Sequence, residues 1–246
     1  MTTRGRRADE HPPTTEAEGC ECQTLGMPAL ITWWTLDVTE LAPGAHNDAV
    51  HAIGADLLRR LAEPHRRYHT SRHLVEVFWA LEDLEQEAVI DSRDGTLGRL
   101  VGWFHDAVYD PGAGGGANEA ASADLAVRDL TALGLHRDDV ERVRDLVLAT
   151  TTHELATDGL SAAFHDADLW ILSAPADRYA AYTRQVREEY AAVPDDAFRS
   201  GQAAVLRPFL ERESVYATAP ARERWEEAAR ANVSAELVAL SGPSSG

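Results

Sequence analysis

Large apolar side chains recur along this chain at three- and four-residue intervals, the period of one face of an α-helix. Leu57, Leu58 and Leu61 close one such segment before Pro64, and Leu74, Val77, Phe78, Leu81 and Leu84 mark a second. Val140, Val143, Leu146 and Val147 form another, and Val205, Leu206, Phe209 and Leu210 a further one. Alternating β-branched runs bounded by turn residues, the signature of strands, do not occur. The pattern predicts an all-α helical bundle over residues 27–240. Breaks between helices are expected at Pro43-Gly44, Asp94-Gly95, Pro111 to Gly116, Gly134, Asp158-Gly159, Pro175, Pro194 and Pro220. Residues 1–26 carry few large apolar side chains to offset the entropy of ordering, so they read as a disordered tail. The small, polar residues 241–246 read as a second flexible tail that contributes nothing to the fold.

Composition narrows the function. The 246 residues carry a net charge of −18, and none of the 23 Lys+Arg residues is a lysine. That rules out Schiff-base chemistry and a phosphate-binding loop lysine. It also leaves no basic face for duplex nucleic acid or anionic lipid. No apolar run reaches the roughly 20 residues of a membrane span, and none follows Arg6-Arg7 as an export signal requires, so a cytoplasmic location is expected. Cys20 and Cys22, the two cysteines, lack a partner pair for a zinc knuckle.

The polar residues that change the picture are histidines and aspartates in a fixed order: His69 and His73, then His105-Asp106, then Asp166 and Asp168. On one helix, His69 and His73 would share a face. His105 and Asp106 can both reach an ion lying off their helix flank, and Asp168, with Asp166 as the alternative, would complete the set from a distant helix. Imidazole and carboxylate donors gathered from separate helices suit a divalent-metal hydrolytic site. The tetrapeptide Phe-His-Asp-Ala occurs at 104–107 and again at 164–167 without matching flanks, so it reads as chance. The glycine-rich break after Pro111 is either a lid beside the site or a plain surface connection. Arg66, Arg67 and Arg72 flank the first motif and are the candidate clamps for a phosphate group, because a guanidinium fork binds two oxygens at once. Arg178, Arg184, Arg187, Arg199 and Arg207 sit among acidic residues and read as solvated ion pairs.

Several stretches in order, Tyr68-His69-Thr70-Ser71-Arg72-His73, Trp103-Phe104-His105-Asp106, Asn118-Glu119, Thr150-Thr151-Thr152-His153 and Asp166-Ala167-Asp168-Leu169, resemble the HD superfamily of metal-dependent phosphohydrolases. The resemblance spans roughly residues 28–240. It is closest to a bacterial branch with an Arg-x-Tyr-His-Thr-x-x-His signature. It implies an HD-type bundle with His73, His105, Asp106 and Asp168 as metal ligands. The first motif is also similar to that of cyclic-nucleotide phosphodiesterases, which implies that His69 protonates the leaving oxygen. Glu119 is a candidate catalytic carboxylate, or a helix-dipole partner. His153 is a candidate for a phosphate oxygen or a second metal, or a helix cap.

The expectation is hydrolysis of a small phosphate ester or anhydride, on a nucleotide or similar metabolite, with Mn, Mg, Fe, Co, Ni or Zn bound. Two other classes share the scaffold: a di-iron oxygenase and a non-catalytic nucleotide-binding sensor.

Overall fold

The computed structural model describes residues 22–155 and 158–242. Residues 1–21, with most of the expected N-terminal tail and Cys20, lie outside the described residues, as do 156–157 and 243–246. Among the described residues there are ten α-helices and no strand: α1 (Cys22–Leu41), α2 (Asn47–Leu61), α3 (Ser71–Gln86), α4 (Ser92–His105), α5 (Ala117–Ala132), α6 (Arg137–Ala149), α7 (Gly159–Asp168), α8 (Ala176–Glu189), α9 (Asp195–Glu211) and α10 (Ala219–Ser241). A 3-10 turn, Leu169–Ser173, follows α7 directly. Cys22–Gly26, expected in the tail, are the first residues of α1.

The apolar periodicity holds. On α3, Leu74, Val77, Phe78, Leu81 and Leu84 are all buried, and on α6 so are Val140, Val143, Leu146 and Val147. Pro175 and Pro194 stand at the N-caps of α8 and α9, and Pro220 lies in the first turn of α10, where a missing N–H costs nothing. One break is displaced. Asp94-Gly95 sits inside the first turn of α4, and the turn is made instead just after α3, where Ala88 takes a left-handed φ of 57°. An alanine in that conformation leaves no glycine for the sequence to show.

Helices α3 and α4 pack side by side, α7 lies on both, and α10 covers the 3-10 turn. Close approach of α3 and α4 depends on glycine: a Cβ at Gly102 would come within 2.9 Å of Phe78 Cε1, and one at Gly98 within 3.2 Å of Leu81 Cδ1. Trp34 of α1 seals this layer, edge-on to Trp103 and Phe104 with ring centroids 5.6 and 6.0 Å apart. A buried ion pair joins α8 to α3, Arg178 Nε and Nη2 donating to the two Glu76 carboxylate oxygens at 2.6 and 2.7 Å. Arg178 is therefore an enclosed strut, not a solvated pair. No helix among the described residues is long and apolar enough to cross a membrane.

Candidate metal centre

The helix ends deliver the polar cluster. His73 sits in the first turn of α3, His105 is the last residue of α4, Asp106 is its C-cap, and Asp168 ends α7. His73 Nε2 and His105 Nε2 are 3.2 Å apart. Asp106 Oδ2 lies 3.0 Å from His105 Nε2 and 3.7 Å from His73 Nε2. Asp168 Oδ1 lies 3.2 Å from His73 Nε2 and 3.4 Å from His105 Nε2.

These spacings suit an ion. Donors about 2.0–2.2 Å from a cation, at angles between octahedral and tetrahedral, stand about 2.8–3.6 Å from one another. The tautomers suit it too. His105 Nδ1 donates to Gly102 O at 2.9 Å, which leaves its Nε2 lone pair facing the cluster. His73 Nδ1 is 3.0 Å from Tyr68 Oη, and with Oη accepting, His73 presents Nε2 in the same way. The buried group His73, His105 and Asp106 can hold a metal ion. Burial by itself would raise Asp106 and Asp168, but His105 and its neighbours hold both carboxyls well below their usual range. Burial would likewise depress His105, and the two aspartates push it well up. A cation bound here would meet carboxylates held in their ionised form.

His69 is not on α3. Thr70 is the N-cap, extended at φ −121°, and its hydroxyl accepts from Arg72 N–H, so His69 enters from the preceding loop. Its ring lies 6.1 Å from that of His73, centroid to centroid. His69 Nδ1 donates to Glu189 Oε2 at 2.6 Å. Glu189, the last residue of α8, is itself fixed: Oε1 accepts the backbone N–H groups of Arg67, Tyr68 and His69 at 2.6, 2.8 and 3.1 Å, and Tyr109 Oη donates to Oε2 at 2.9 Å. Against burial, the His69 hydrogen bond and these amides bring the Glu189 carboxyl down to about 2. Against burial again, Asp106 and Glu189 raise His69 above the ordinary imidazole value. A carboxylate-backed imidazole thus stands beside the cluster.

Asp166, the alternative to Asp168, is elsewhere. It is fully buried and accepts from the N–H groups of Ala217 and Thr218 at 2.6 and 2.8 Å.

The cluster opens into a cavity of about 310 Å³. Glu119, in the first turn of α5, and His153 both line it. His153 holds a left-handed φ of 47°, and its Nδ1 is 3.9 Å from Asp168 Oδ2. Burial lowers its pKa. The glycine loop at 111–116 is pinned at its base by Asn118, which exchanges two hydrogen bonds of 3.0 Å with the Asp110 backbone.

The three arginines expected as phosphate clamps are not brought to the cavity. Arg66 is enclosed and donates to the carbonyls of His69, Asp106 and Ala107 at 3.2, 2.8 and 3.3 Å. Arg67 donates to Pro64 O and Arg66 O and faces Glu188. Arg72 is exposed and pairs with Glu76. Sequence reasoning missed Glu189, Tyr109 and the wall formed by Tyr182 and Phe209. Tyr68 was adjacent to a motif histidine and so within reach of inference. Glu189, 120 residues from His69, carried no local signal.

In comparisons with known proteins, no family model, no curated relative and no solved structure matches the chain.

Proposed function

We propose that this chain is a metal-dependent phosphohydrolase of the HD type, acting on a small phosphate ester or anhydride. The carrying observation is the convergence of His73, His105, Asp106 and Asp168 from three helices, the two histidine Nε2 atoms lying 3.2 Å apart and each aspartate placing an oxygen 3.0–3.7 Å from both of them. In this reading all four are ligands of one divalent ion. Such an ion lowers the pKa of water and withdraws charge from phosphoryl oxygens.

The chain's own residues supply the rest. His69, held protonated by Glu189, donates a proton to the leaving oxygen. Tyr109 and the three amides fix Glu189, and Glu189 fixes the ring of His69. In this reading Glu119, a residue of the cavity lining, takes a proton from the attacking water. The partner is a small phosphorylated metabolite; the −18 net charge disfavours duplex nucleic acid and anionic membranes.

A two-metal version has one observation in its favour, the approach of His153 to Asp168. The same experiment separates the two. The protein is stripped, reloaded with each of Mn, Mg, Fe, Co, Ni and Zn, and assayed on phosphate esters and anhydrides, alongside His69→Ala and His73→Ala. His73→Ala should lose metal and activity together. His69→Ala should keep one equivalent of metal and lose about 10²–10⁴-fold in kcat, the range for general acid catalysis. The loss should shrink for a nitrophenolate leaving group. Loss of metal from His69→Ala would make His69 a ligand and favour the two-metal or di-iron version. Tight nucleotide binding without turnover would favour a sensor.

A further inference from the structure

We propose that the cavity takes a monophosphate ester, one phosphate on a compact ring-bearing group, and discriminates against di- and triphosphates. This rests on the phosphohydrolase reading above and goes on to name its substrate class.

The first argument is a census of cations. Polyphosphate sites place arginine forks or a lysine on the phosphates beyond the reacting one. This chain has no lysine, and no arginine lines the cavity among the described residues. The guanidinium groups of Arg66, Arg72, Arg178 and Arg212 are committed elsewhere. Arg66 is held by backbone carbonyls, and Arg72 and Arg178 by Glu76. Arg212 donates to His153 O at 2.6 Å and lies against the Phe209 ring. His69 is paired with Glu189 through its Nδ1 at 2.6 Å. Two charges on a bound ion would be matched by Asp106 and Asp168. Glu119 then adds a negative charge with no partner of opposite sign in the cavity lining. A single phosphate can bind between the ion and His69. Every further phosphate adds charge where the lining offers neutral donors such as Asn118, Thr150 and Thr151 but no arginine.

The second argument is the wall. The lining also includes Ile171, Leu172, Tyr182, Leu206 and Phe209, apolar and aromatic side chains on which a flat ring can stack. At about 310 Å³ the space is at the small end of ligand cavities, which run from about 300 to 1,000 Å³. It suits a phosphate joined to one compact ring system.

The test uses the full chain loaded with its preferred metal. Substrates are adenosine mono-, di- and triphosphate, with phenyl phosphate and glycerol phosphate as single-phosphate probes with and without a ring. The monophosphate should lead, with kcat/KM falling by about tenfold for each added phosphate, since uncompensated like charge is costly in an enclosed site. Phenyl phosphate should exceed glycerol phosphate. Val205→Arg places a guanidinium on the exposed rim of the cavity and should narrow the gap between mono- and triphosphate. Triphosphate turnover equal to or above that of the monophosphate would overturn the substrate class while leaving the hydrolase reading intact. Failure to hydrolyse any of these esters with any metal would instead remove the hydrolase reading. In that case calorimetric binding of the same nucleotides decides the class: monophosphate tighter than triphosphate supports it, and the reverse order or no binding overturns it.

Discussion

The same four residues, Phe-His-Asp-Ala, occur at 104–107 and 164–167 and meet opposite fates. The first lies across the C-terminal end of α4, so His105 and Asp106 project past the helix toward His73 and Asp168. The second lies within α7, where His165 Nε2 donates to Val215 O at 3.2 Å and Asp166 accepts the amides that lead into α10. Their electrostatics diverge accordingly. Burial is opposed at the first pair, where aspartates push His105 up and imidazoles hold Asp106 down. Burial wins at the second, pushing Asp166 up to about 6 and His165 down. A His-Asp pair therefore has no chemistry of its own; what stands opposite it decides whether it gathers a cation or ties down a loop.

The widest break in that comparison should come from removing each aspartate. Asp106→Ala should abolish stoichiometric metal and activity, read by metal analysis and ester hydrolysis. Asp166→Ala should keep the metal and instead lower the melting temperature, because two buried amides lose their acceptor at about 1–3 kcal/mol each. Metal loss in a folded Asp166→Ala protein would mean that the two pairs are not distinct.

A smaller effect tests the support behind His69. Glu189→Gln keeps the shape but removes the charge that raises the imidazole pKa, and kcat should fall by about tenfold. The acid works while His69 is protonated, so kcat declines as pH rises through its raised pKa, and losing Glu189 moves that decline to lower pH. An unchanged alkaline limb in Glu189→Gln would leave Glu189 a structural residue only.

The smallest effect is expected at Arg67, which lies outside the cavity and pairs on the surface with Glu188. Arg67→Lys should change kcat/KM less than about twofold, in keeping with surface substitutions of about ±0.5 kcal/mol. A large loss would return this arginine to the phosphate.

The helices were legible because their apolar faces repeat locally, and the donor order was legible because three short motifs carry it. Helix phase was not. Asp166 and Asp168 are two residues apart on α7 and project to opposite sides, a choice set by where α10 and α3 lie. The start of α3 falls later than its histidine spacing suggests because Thr70 caps it, which makes an expected helical His69 a loop residue. Arg66 resembles an anion clamp by its neighbours in sequence, whereas the carbonyls of nearby His69 and of distant Asp106 and Ala107 enclose it. Glu189 closes a span of 120 residues that no local pattern records.

The most direct test of the metal centre is anomalous diffraction from a crystal grown with Mn²⁺, recorded on either side of the metal edge. One peak should appear bounded by His73 Nε2, His105 Nε2, Asp106 and Asp168 at about 2.0–2.3 Å. A fully loaded protein whose peak lies away from these four side chains, or whose peak is coordinated by Asp166, would contradict the account.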